Sequence, residues 1–196
     1  MLRRPLALLA VVLAAAIGAG CADDVAPAAR VGDRTITTDE LLDEVAEWAG
    51  NERSPRAEQL ASTSSPSGYS MAAVGAILQE RILLEMLAPA FDELDMEVTE
   101  ELRQQALGLL GVDPSQADEV FDGFSQAYID GFIDSYAKGI AVQTALGDEQ
   151  FVALLRESAQ DVEIDPRYGT WDPSQLVVVP PEGPRPAPGS ALTPEL

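Results

Sequence analysis

The sequence contains no histidine, and Cys21 is its only cysteine among 196 residues. Without histidine the chain lacks the usual general base near neutral pH, the Ser-His-Asp and Cys-His catalytic arrangements, and every histidine-ligated metal site. A lone cysteine forms no intramolecular disulfide, so the fold must rest on an ordinary hydrophobic core. We therefore predict that the chain is not an enzyme and that it binds no metal and no cofactor.

Basic residues are also scarce. The chain has 12 Lys and Arg residues against 33 Asp and Glu residues, a formal net charge of −21. Such a surface repels phosphate backbones and anionic lipid headgroups, which excludes nucleic acid as a partner and excludes electrostatic adhesion to a membrane. The same charge keeps a folded chain soluble and favours a monomer.

The longest apolar run lies at the N-terminus. Residues 1–4 include two arginines, residues 5–17 are apolar, and residues 18–20 are small, which is the pattern of a secretory signal peptide. The apolar run of 13 residues is short for a transmembrane helix, since a helix needs ~20 residues to span the hydrocarbon. We assign residues 1–20 to a signal peptide.

Cys21 directly follows this leader, at the position where a bacterial lipoprotein precursor is cleaved and acylated. We predict lipidation of Cys21, a tether over residues 21–28, and a location on the outer face of the cell membrane. Gly18 stands three residues before the cysteine, where lipoprotein leaders usually carry Leu, Val or Ile. Plain secretion, with cleavage after Ala22, and a retained anchor therefore stay open as alternatives.

The next segment predicts a hairpin and a helix. Val31 and Ile36 flank the turn pair Gly32-Asp33, and Thr37 with Glu40 forms a capping box. A loop over 51–68 is rich in Ser, Pro, Arg and Glu, and we predict that it is mobile. Helical periodicity and caps predict helices over residues 38–49, 69–87, 99–110, 115–146 and 148–159, with Pro89 kinking or ending the second and Gly111 stopping the third.

Five aromatic residues recur at spacings of three and four along the segment 115–146. This stripe is a candidate surface for binding apolar segments of unfolded polypeptides, but the same spacing is typical of a buried helix face in a bundle core, which is the interpretation that we favour. The five residues are Phe121, Phe124, Tyr128, Phe132 and Tyr136.

Two segments carry a family resemblance. Ala29–Leu41 resembles the opening of the SurA/PrsA-type extracytoplasmic chaperones. In this segment the predicted hairpin ends with Ile-Thr, and the helix that follows contains an acidic residue directly before a leucine. Val162–Trp171, with its Asp-Pro-Arg-Tyr-Gly-Thr-Trp ending, is similar to the closing strand of secreted and lipoprotein members. The resemblance implies a mainly α fold: a SurA N-terminal-like helical bundle over 29–172 with a small β-sheet formed by the N-terminal hairpin and the C-terminal strand. Residues 173–196 then form a Pro-rich tail.

The resemblance also implies a function. It points to a membrane-tethered chaperone-like protein that binds unfolded or newly exported polypeptides without ATP. Longer relatives carry a parvulin-type prolyl-isomerase domain, for which this chain has no spare segment and no histidine. Two alternatives stay open: an envelope accessory subunit that docks one specific partner, and a peptidyl-prolyl isomerase.

Overall fold

The computed structural model of the chain describes residues 27–51, 55–61 and 68–181. The described chain is mainly helical with two small antiparallel sheets, which confirms the predicted fold class. The strands are β1 (Pro27–Val31), β2 (Arg34–Thr37), β3 (Val162–Ile164), β4 (Thr170–Asp172) and β5 (Val177–Val179). The helices are α1 (Thr38–Gly50), α2 (Pro55–Leu60), α3 (Met71–Glu93), α4 (Glu100–Leu109), α5 (Ala117–Val120) and α6 (Gln126–Ser158).

Strand β1 lies at the centre of a three-stranded sheet of order β2-β1-β3. It pairs with β2 across the two-residue loop Gly32-Asp33, where Gly32 has a φ of 57°, a value that glycine adopts without strain. On its other side β1 pairs antiparallel with β3, with Arg30 opposite Glu163. The predicted return of the C-terminal strand to the N-terminal hairpin is thus confirmed. Pro27 and Ala28, which the sequence analysis assigned to the tether, belong to strand β1, and Ala28 is buried in the core.

Helix α1 begins with the predicted capping box. The Thr37 side chain accepts a hydrogen bond from the Glu40 backbone N–H at 3.1 Å, and the Thr37 backbone N–H donates to Glu40 Oε2 at 2.8 Å. The bond from the Thr37 backbone N–H is the main cause that lowers the pKa of the Glu40 carboxyl group. Strand β2 is joined to α1 without a linker, so the capping box fixes the angle between them.

Helix α3 is the central helix, as its nearly continuous apolar sequence predicts. Leu78 and Ile82 are completely buried, and the helix contacts α6, the hairpin and β5. Pro89 lies inside the helix, which continues to Glu93. Of the two effects expected of Pro89, a kink or an end of the helix, the end is therefore wrong.

The prediction of a mobile loop over residues 51–68 is wrong in part. It contains helix α2, whose Leu60 is completely buried in the main core, and Ala61 forms a β-bridge with Tyr69. One buried leucine in a polar segment anchors this stretch against α3. Residues 52–54 and 62–67 lie outside the described part of the chain.

The predicted continuous helix over 115–146 is interrupted. A 3₁₀ turn and the short α5 end at Phe121, Gly123 adopts a φ of 97°, and α6 begins after Ser125, whose side chain accepts the Tyr128 backbone N–H. The second predicted break is present: Gly147 has φ 74° and ψ 165°, values outside the helical region, so α6 changes direction there.

The predicted tail starts too early at residue 173. Strand β5 pairs with β4 in a second sheet, and the Val178 backbone N–H donates to Gln79 Oε1 of α3 at 3.0 Å. Gly169 is required in this sheet because a Cβ at that position would lie 2.3 Å from the Val179 carbonyl oxygen. Trp171 closes the end of the bundle by donating from Nε1 to the Ala159 carbonyl at 2.9 Å. The folded body thus reaches at least Val179.

In the described ranges, no helix is long and apolar enough to cross a membrane. The predicted signal peptide over 1–20 and Cys21 lie outside those ranges.

The capping box predicts a stability that depends on pH. The pKa of Glu40 is lower in the folded chain than in the unfolded one, so its contribution is present above the unfolded pKa and is lost as the pH falls through the folded pKa. Replacing Glu40→Gln should reduce the free energy of unfolding by about 0.5 kcal/mol at neutral pH. The gap to the unmodified chain should narrow as the pH falls through the lowered pKa of the folded chain, and it should close at about pH 2, well below the ordinary range of a glutamate.

Denaturant unfolding at the two pH values measures this gap. Glu157→Gln is the matched control, since Glu157 lies in the last turn of α6, where loss of a negative charge does not destabilise a helix. An equal gap at both pH values would show that the ionised carboxylate is not what stabilises the start of α1.

Candidate functional site

The break between α5 and α6 brings the predicted aromatic residues together. Asn51 donates from Nδ2 to the Asp122 carbonyl at 2.9 Å, and Ser125 Oγ donates to Glu47 Oε1 at 2.8 Å. Both bonds attach the break to the C-terminal end of α1. The break places the Phe124 ring against Trp48 of α1 and the Phe121 ring against Phe124 and Phe132, while α6 carries the remaining three rings.

Trp48 of α1 is the centre of the resulting cluster. Its ring lies edge-on to Phe124, Tyr128 and Phe132, with ring centroids 4.9, 6.2 and 5.6 Å away. The aromatic cluster consists of Trp48, Phe121, Phe124, Tyr128, Phe132 and Tyr136. Trp48 lies in the helix predicted over residues 38–49, but it is not one of the five aromatic residues predicted as a surface. Its large ring at that position was the available signal.

The cluster is partly core and partly surface. Phe121 and Phe132 are buried, with 5% and 7% of their surface exposed, whereas Phe124, Tyr128 and Tyr136 are half-buried against the core. The structure thus brings all five predicted residues together, and two of them serve the core directly. Only the half-buried rings offer a surface to another molecule.

A cleft lies beside these rings, between α1, α3 and the first half of α6. It has a volume of about 240 Å³, below the ~300–1,000 Å³ typical of small-molecule sites. The acidic–aromatic cleft is lined by Glu44, Glu80, Arg81, Leu84, Ala127, Tyr128, Gly131, Phe132 and Ser135. It is large enough for one side chain of a partner, not for a cofactor.

Tyrosine hydroxyl groups hold the two carboxylates of this cleft. Tyr128 donates to Glu44 Oε1 at 3.2 Å, and Tyr136 donates to Glu80 Oε1. Burial raises the pKa of Tyr128 well above its usual value, and the nearby Glu44 charge raises it further. Tyr128 therefore stays protonated and acts as a hydrogen-bond donor at every physiological pH.

A band of charged side chains extends from the cleft to the hairpin. Arg81 lies 3.6 Å from Glu44 and 3.5 Å from Glu85, measured from guanidinium nitrogen to carboxylate oxygen. Arg34 of β2 continues the band, at 3.2 Å from Glu85 and 3.1 Å from Asp92. These pairs are partly exposed, so each contributes little to stability, but together they hold the Arg81 guanidinium group against Glu44 and Glu85.

No set of three or more His, Cys, Asp or Glu side chains is placed to hold a metal ion within residues 27–51, 55–61 and 68–181. The aromatic cluster and the cleft contain hydrogen-bonding groups and ring surfaces.

Comparisons with protein-family models, curated proteins and solved structures find no match to this chain.

Proposed function

We propose that this protein is a membrane-tethered extracytoplasmic chaperone-like protein that binds unfolded or newly exported polypeptides without ATP. The observation that carries the proposal is the pairing of β3 with β1, with a helical body between the two strands. This topology is what the resemblance of the two terminal motifs to SurA/PrsA-type chaperones implies.

The aromatic cluster supplies the surface for this function. Phe124, Tyr128 and Tyr136 are partly exposed, and the rings of Trp48 and Phe132 pack against them. Preorganised aromatic rings bind apolar side chains with little loss of conformational entropy. The net negative charge keeps a complex with an aggregation-prone client soluble.

A second function has a specific observation in its favour. The cleft beside the rings is small, and two of the five predicted surface rings are buried. A well-packed body of this kind suits an accessory subunit that docks one envelope partner. A pull-down that returns one stoichiometric partner, with no range of unfolded clients, would favour this alternative.

Light scattering of a thermally unfolding client enzyme tests the chaperone proposal. The full-length protein at several-fold excess should suppress the scattering without ATP. Phe124→Ala should weaken the suppression because it removes a half-buried ring of the proposed surface. Val152→Ala is the matched control, since Val152 is 42% exposed on the far half of α6. Unchanged scattering with the unmodified protein would contradict the proposal.

The membrane tether has its own test. Intact mass spectrometry of the protein extracted from membranes should show a chain that begins at Cys21 and carries acyl groups. A soluble chain that begins after Ala22, without acyl groups, would show plain secretion and overturn the proposed lipid anchor.

A further inference from the structure

We draw no further inference here: the strongest candidate, the pocket of about 410 Å³ between the turn of the β-hairpin, α3 and the end of α6, is lined by a cluster of acidic side chains around Arg34, and nothing else in the described part of the chain points to a ligand for it.

Discussion

The pairing of β3 with β1 is the constraint on which the rest of the structure depends. The Gly32 backbone N–H donates to the Asp161 carbonyl at 2.9 Å, and the Asp165 backbone N–H donates to the Ala28 carbonyl at 3.0 Å. These bonds join segments that are more than a hundred residues apart in sequence, and every helix of the described ranges lies between those segments in the chain. Closing so long a loop has a large entropic cost, which the three short strands alone do not offset. The buried helix α3, packed under the hairpin, supplies the apolar contacts that make the closure stable.

The closure also positions the candidate site. Because β2 runs directly into α1 through the capping box, the sheet fixes where α1 places Glu44 and Trp48. Helix α3 then places Glu80 and Arg81 opposite them, and the break before α6 brings Phe124 against Trp48. The site therefore consists of side chains from three helices whose arrangement follows from one sheet.

Much of this fold could be predicted from local signals in the sequence. The turn pair Gly32-Asp33, the capping box and the apolar helix around Leu78 each depend on near neighbours, and all three are present.

The interruption between α5 and α6 and the additional short elements were harder to predict. The spacing of aromatic residues continues across Gly123, so periodicity alone concealed the end of α5; the serine cap at Ser125 was the missed signal. Strand β5 and helix α2 are short and lie in polar or Pro-rich sequence, and each is stabilised by tertiary contacts with α3 that no local pattern reveals. The acidic–aromatic cleft was not predicted for the same reason, because its residues come from distant parts of the chain.

Nuclear Overhauser effects between Hα atoms test the closure most directly. Ala29 and Ile164 face each other between the hydrogen-bonded positions of the antiparallel pair, as do Val31 and Val162. The Cα atoms of such pairs lie about 4.5 Å apart, which brings their Hα atoms close enough for strong cross-strand signals. The account predicts both Hα–Hα signals in the full-length protein. Their absence, with β3 resonances at random-coil positions, would contradict the closed helical body and the chaperone-like assignment that depends on it.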